Sequence, residues 1–247
     1  MNFVTLNQIL DFLNQNHIPH QLVPAEREIL QTEFSFASIK NCIENGVYYF
    51  EDSASISKYN INNSIIISKE KNGSPSNCFI LVESPQLVHY KLCVLVKPSV
   101  HYAVSSTSRI DQKAALHSRV SIGENCVIGQ CIIEEGVVIQ HNVVIENNVV
   151  IKKNAFIDSN SVIGASGLAW IWDHDGKRVL QPQLGGVVIE EDCHLATDVT
   201  VVRGSLSENT KIGRGTVIAH GTKIGHGAQI HEEVHMANNV SIAGNAV

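Results

Sequence analysis

The 247-residue sequence predicts a two-part chain, with a small α/β domain over residues 1–100 and a parallel β-helix over residues 101–247. Three observations predict it. Ten of the 14 aromatic residues fall in the first hundred positions, and 15 of the 17 glycines fall after them. The last 147 positions hold 37 isoleucines and valines. Many of these aliphatic residues recur at a spacing of six, which is the third observation.

Composition narrows the function classes. A net charge of −6 with no basic run excludes a dedicated nucleic-acid binder. A charged fraction of 17% is too low for a solvated disordered chain. The first apolar stretch is broken by Asn, Gln and Asp, so no signal peptide is expected. No apolar run approaches the ~20 residues of a membrane span. The six cysteines, Cys42, Cys78, Cys93, Cys126, Cys131 and Cys193, form no CxxC pair. They are expected to be reduced, mostly buried thiols of a cytoplasmic protein.

In the first part, Thr5 and Gln8 have the spacing of a capping box. Leu6, Ile9, Leu10 and Leu13 then share one helical face. Gly46–Phe50, Ser64–Ser68 and Cys78–Val82 are predicted strands, with Lys69–Pro75 as a loop. Ser84-Pro85 opens a helix through about Val96, with proline at its first position. Lys97–Ser99 is the expected hinge.

The second part is a repeat. Val104, Ile110, Leu116, Ile122 and Ile128 are six apart. A step of five leads to Ile133, followed by Ile139, Ile145, Ile151, Ile157 and Ile163. Ile189, Leu195 and Val201 resume the count. A second step of five leads to Leu206, then Ile212, Ile218, Ile224, Ile230, Met236 and Ile242, making 21 hexads. Six residues fit neither a helical period nor simple alternation, but they fit a short strand plus a turn. The pattern resembles a left-handed parallel β-helix, in which three hexads make one coil; its hand is taken from that resemblance. Twenty-one hexads give about seven coils, stacked at roughly 4.8 Å each. Aliphatic residues fill the narrow prism, and Gly and Asn serve its corners. Residues 164–188 interrupt the count and carry Trp170, Trp172 and a polar run Asp173–Arg178. They are expected to leave the prism as a loop without loss of register, and exposed aromatics there point to a binding role or a subunit contact.

No nucleotide-fold or nucleophile-elbow motif is present. The late histidines are His220, His226, His231 and His235. His226 is the third residue of its hexad and therefore lies outside the prism. Gly244 follows 18 residues later, one coil above on the same face. An exposed imidazole beneath a glycine N–H can act as a general base with an oxyanion donor.

Several segments carry a resemblance. Phe34–Ile39, Asn45–Asp52 and Lys58-Tyr59 are similar to the nucleotide-binding domain of the UDP-3-O-acylglucosamine N-acyltransferases of lipid A synthesis. Ser84–Leu87 resembles the start of that family's connecting helix. Ile163–Gly167, Pro182–Val187 and Val202–Leu206 resemble its inserted loop and return. Ile224–Gly227 and Ile242–Gly244 resemble its histidine motif and its oxyanion glycine.

The resemblance implies acyl transfer from a thioester to the primary amine of a nucleotide-linked sugar. His226 and Gly244 would be catalytic. Tyr49 would stack on the base, with Asp52, Lys58, Tyr59, Trp170 and Gln183 on the substrate and Gly225, Gly227 and Ala243 on the donor. A homotrimer is implied, with no metal.

Three departures refine this. Ala219 stands where the family has an acidic residue seven before its histidine. Asp52 stands where the family has an asparagine that reads uracil, which leaves room for a thymidine nucleotide. The chain ends three residues after Gly244, where the family continues. The shorter form is similar to the nucleotide-amino-sugar N-acyltransferases of O-antigen synthesis. That implies acyl-CoA as donor, a dTDP-3-amino-3,6-dideoxyhexose as acceptor, and a 3-hydroxyacyl group such as 3-hydroxybutyryl. The alternatives are the lipid A enzyme with acyl carrier protein as donor, a γ-type carbonic anhydrase-like zinc protein using His226 and His231, and a non-catalytic scaffold.

Overall fold

Thr5 starts the first helix as expected. Its hydroxyl accepts from the Gln8 N–H at 3.3 Å, and the Gln8 side chain accepts from the Thr5 N–H at 2.8 Å. In this computed structural model, which describes residues 3–26, 29 and 32–247, helix α1 spans Leu6–Gln15. It buries Leu6, Ile9 and Leu13. The chain divides into two compact units, Met1–Ser99 and Val100–Val247.

The first unit holds a five-stranded sheet: β1 (Gln21–Val23), β2 (Ser35–Phe36), β3 (Gly46–Phe50), β4 (Ile65–Ser68) and β5 (Cys78–Leu81). Their order is β1-β5-β4-β3-β2, with β1 antiparallel and the rest parallel. The three predicted strands are β3, β4 and β5, and the short flanking strands β1 and β2 are additions. Alternation along β3 splits the core. Val47 packs with Ile65, Ile67 and Ile80 on the side that also holds α1 residues and Val88 and Leu92 of helix α2 (Pro85–Leu92). Tyr48 and Phe50 pack with Ile56, Ile66 and Phe79 on the other. Helix α2 ends at Leu92, earlier than expected, and tightens into a 3-10 turn over Cys93–Val96. Burial of apolar faces on both sides is what holds so small a sheet together.

The second unit is a β-helix. Its strands are two to four residues long and pair in parallel into three sheets of six, six and seven strands. One face stacks Leu116, Ile133, Ile151, Ile189, Ile212 and Ile230. The second stacks Ile122, Ile139, Ile157, Leu195, Ile218 and Met236. The third runs from Ile110 through Ile128, Ile145, Ile163, Val201 and Ile224 to Ile242. A bridge from Val104 to Ile122 adds one more rung at the start.

This register corrects one hexad. Leu206 is not a rung but is 51% exposed on a short loop. Val201 passes to Ile212 on the next face, because Ile212 pairs with Ile189. The prism therefore has 20 rungs, just under seven coils. The first five-residue step, into Ile133, is real, since Ile133 pairs with both Leu116 and Ile151.

A second inward position lies two residues before each aliphatic rung. It takes Val, Ala, Ser, Thr or Cys, as at Val137, Ala155, Ser161, Thr216 and Cys193, all 0–1% exposed. Cys126 and Cys131 occupy the same slot. All six cysteines are free, and Cys42 is the exposed one. Burial pushes the Cys131 and Cys193 thiols up to about 11.

Corners follow a third rule. The residue three past the rung has positive φ, as at Asn125, Asn142, Asn148, Asn154, Asn160, Asn239 and Asn245. Glycine does the same at Gly136, Gly215, Gly221 and Gly227. Left-handed backbone costs most L-residues roughly 1–2 kcal/mol, and Gly and Asn least.

The inserted segment leaves the prism after Val162–Ala165 and rejoins it at Gly186–Ile189. Rejoining thus begins inside the expected 164–188 loop. The segment folds on itself as an antiparallel hairpin, Trp170–Trp172 against Arg178–Leu180. Among the described residues, no helix is long and apolar enough to cross a membrane.

Candidate active site

The site is a corner of the β-helix after the Ile224 rung. Gly225 N–H donates to the Ile242 carbonyl at 2.9 Å, and Asn245 N–H donates to the His226 carbonyl at 2.7 Å. These two bonds lay the coil carrying Gly244 directly on the coil carrying His226. The imidazole occupies the space a side chain on Gly244 would need. A Cβ there would collide with Nε2 and stand 2.8 Å from Cδ2 and Cε1. Only glycine permits this contact, and its φ is not the reason. Gly244 is exposed, and its N–H makes no hydrogen bond among the described residues.

The other imidazole nitrogen is held from the 203–208 loop. His226 Nδ1 lies 2.9 Å from Ser205 Oγ. The Glu208 carboxylate accepts from the backbone N–H of Ser205, and from that of Leu206 at 3.1 Å. Backbone N–H groups, its own first and then those of Ser205 and Leu206, hold the Glu208 carboxyl below the usual carboxylate range. The charge of His226 adds a smaller effect in the same direction. Leu184 N–H donates to the Ser205 carbonyl at 3.0 Å, and Gly185 N–H to the Gly204 carbonyl at 3.1 Å. The two glycines let these strands close: a Cβ on either would strike the Glu208 carbonyl oxygen. From the other side, buried Thr210 accepts from Gly227 N–H at 2.8 Å and donates to the Val202 carbonyl at 2.6 Å. The left-handed turn at Gly227 is thereby fixed beneath the histidine.

Other expected residues are distributed as follows. Gly225, Gly227, Ala243 and Gly244 belong to the His226 corner, while Ala219 lies one corner earlier on the outside of the helix. Trp170 is exposed on the hairpin, with Trp172 edge-on at 5.0 Å and Arg178 over its ring at 5.7 Å. Gln183 is buried at the base of the insert, and its Oε1 has no hydrogen-bond partner among the described residues. A Cβ on Gly167 would be 3.1 Å from this Oε1. His220 has its own partner, Thr197 Oγ1 at 2.8 Å from Nδ1. Among the described residues, no three His, Cys, Asp or Glu side chains converge as a metal-binding group.

In the first unit, Tyr49 lines a cavity of about 600 Å³ with Phe36, Ile39, Tyr48, Phe50 and His89. The Tyr49 ring lies 4.9 Å from His89 and 6.1 Å, edge-on, from Tyr90. Burial lowers the His89 pKa, so this imidazole is held neutral, and its Nδ1 has no partner among the described residues. Asp52, Lys58 and Tyr59 do not line this cavity. Asp52 caps the 3-10 turn Ser53–Lys58 through Ala54 N–H at 3.0 Å, Lys58 is exposed, and Tyr59 packs on Phe50. Sequence reasoning missed His89, since a lone histidine on a helix gives no signal of its own. It also missed Ser205, Glu208 and Thr210 as parts of the His226 corner.

Comparison with known proteins agrees with this fold. Residues 130–165 match the family "Bacterial transferase hexapeptide (six repeats)". No curated protein sequence matches the chain. Three similar solved structures are UDP-N-acetylglucosamine acyltransferases. That of Moraxella catarrhalis is 22% identical with a TM-score of 0.52, covering 57% of this chain and 53% of its own. That of Francisella novicida is 24% identical with a TM-score of 0.51, at 57% and 50%. That of Acinetobacter baumannii is 26% identical with a TM-score of 0.50, at 57% and 53%. This chain thus spans about half the length of these three structures.

Proposed function

We infer that the protein is an N-acyltransferase that moves an acyl group from acyl-CoA to the primary amine of a nucleotide-linked amino sugar. The observation that carries this reading is the His226 imidazole packed against the Gly244 backbone, with its Nδ1 held by Ser205. The likeness to O-acyltransferases acting on UDP-N-acetylglucosamine supports acyl transfer to a nucleotide-linked sugar in general.

The steps balance as follows. Nε2 of His226 takes a proton from the amine as the nitrogen attacks the thioester carbonyl. The Gly244 N–H donates to the oxygen that becomes negative. Collapse forms the amide and expels the thiolate of coenzyme A, which takes the proton back from the imidazolium. Tyr49 and the neutral His89 make the first unit's cavity a subsite for the nucleotide base, through ring stacking and one buried imidazole edge. The acceptor we favour is a dTDP-3-amino-3,6-dideoxyhexose, with a 3-hydroxyacyl group such as 3-hydroxybutyryl as cargo. Such a product serves O-antigen synthesis, and the enzyme works in the cytoplasm as a homotrimer.

His226→Ala is expected to lower kcat by about 10²–10⁴-fold while leaving the fold intact. Turnover is followed with acyl-CoA and, in parallel, with acyl carrier protein on dTDP- and UDP-linked amino sugars. Activity with the carrier protein alone would overturn the coenzyme A assignment. A His226→Ala enzyme within a few-fold of wild type would overturn the general base.

A further inference from the structure

We propose that Ser205 is the positioning residue of His226. Its Oγ accepts the Nδ1 proton and so leaves the Nε2 lone pair facing the reacting amine. The inference rests on the acyl-transfer reading of the site, and it assigns a partner that the chain lacks at Ala219.

Three observations carry it. Ser205 Oγ is 2.9 Å from His226 Nδ1 and has no other hydrogen-bond partner among the described residues. The loop that presents Ser205 is held through its backbone. Ser205 N–H donates to Glu208, and the Ser205 carbonyl accepts from Leu184. The hydroxyl is therefore free to serve the imidazole alone. Finally, this loop is the five-residue excess between the Val201 and Ile212 rungs, so it lies outside the repeat. The same kind of contact occurs between plain hexads, where Thr197 Oγ1 lies 2.8 Å from His220 Nδ1, but here it is supplied from outside the repeat.

The chemistry requires such a partner. A neutral imidazole carries one proton, and a general base at Nε2 needs that proton on Nδ1. Without an acceptor at Nδ1, the ring is free to adopt the other tautomer or to rotate.

The test is Ser205→Ala, which removes the hydroxyl and keeps both backbone bonds. The first readout is the nitrogen spectrum of ¹⁵N-histidine-labelled protein, with the His226 signals identified by their loss in His226→Ala. In the wild type, Nδ1 is expected to carry the proton, and in Ser205→Ala the population moves toward Nε2–H. The second readout is kinetic. Loss of one charge-assisted hydrogen bond predicts a kcat about 10–100-fold lower, with KM within about twofold. Ser205→Thr restores both. Unchanged His226 nitrogen signals in Ser205→Ala overturn the proposal, as does a tautomer change with unchanged kcat. If the wild type transfers no acyl group at all, the acyl-transfer reading falls, and the spectra still decide whether Ser205 sets the tautomer.

Discussion

Gly244 is where one atom decides the site. A methyl group at that position meets the His226 ring on three of its atoms. Gly244→Ala is therefore expected to turn the imidazole away and to lower kcat by at least about 10-fold, with the donor KM less affected. Its backbone conformation is ordinary, so the melting temperature should stay close to wild type. A large fall in melting temperature would show that the glycine serves the coil and not the histidine. The corner residues give the opposite kind of prediction. Glu233 has φ of 56°, the same left-handed turn that asparagine or glycine holds elsewhere. Glu233→Asn is expected to stabilise the protein by about 1 kcal/mol, measured by denaturant unfolding. A loss of stability would mean that the carboxylate itself matters there.

At this scale the sequence was legible where spacing alone sets the contact. His226 and Gly244 are 18 residues apart, and both follow the last irregularity in the repeat. Their stacking is one coil of arithmetic. Ser205 was not legible as a partner of His226, because the step of five after Val201 reads as a shortened hexad, and only the pairing of Ile212 with Ile189 puts Ser205 outside the prism.

The hexad is the natural unit at the next scale, and Leu206 shows how it misleads. Asn209 stands three after it, just as at a true rung, while Gly204, two before it, leaves empty the inward position that Val, Ala, Ser, Thr or Cys fills elsewhere. Only the corner matches, and pairing over longer range excludes the rung. Ile212 stacks on Ile189, and the Glu208 carboxylate binds the backbone of Ser205 and Leu206 in a closed turn. The difference can be measured. Leu195→Ala removes a fully buried side chain and is expected to cost 2–5 kcal/mol. Leu206→Ala removes an exposed one and is expected to cost less than about 0.5 kcal/mol. Equal losses in urea unfolding would restore Leu206 to the core. In the first unit, β3, β4 and β5 are buried runs of the kind sequence reveals. Strands β1 and β2 are two or three residues at the sheet edges, too short to show alternation.

Across the whole molecule, order comes from contacts between successive coils. One of these is electrostatic. Glu190 bridges Lys152 at 2.6 Å and Lys211 at 3.2 Å, linking three coils. The hydrogen bond from Lys152 is the main cause of its lowered pKa, opposed by partial burial and aided by Lys211. A depressed folded pKa contributes stability above the unfolded value of 4.5, and that contribution disappears as pH falls through the folded value. Glu190→Gln should thus lower the melting temperature at pH 7 and make little difference near pH 3. The lysines are partly exposed, so the effect at pH 7 is expected to be about 1 kcal/mol or less. A mutant equal to wild type at pH 7 would remove the bridge from the stability of the stack.

The two-part division was legible from composition because the two halves bury different shapes. A sheet packed by helices accepts Tyr48, Phe50 and Phe79, and a three-faced prism accepts aliphatic rungs and small corners.

Both insertions, at residues 166–185 and 203–208, leave at corners of the third face, and the rungs continue past them in register. The coils thus behave as a fixed frame and the loops as exchangeable fittings. Loop length and sequence can drift while the frame keeps His226 under Gly244. New specificities in such a molecule arise by editing its corners, a change that the stacked rungs neither oppose nor need to accommodate.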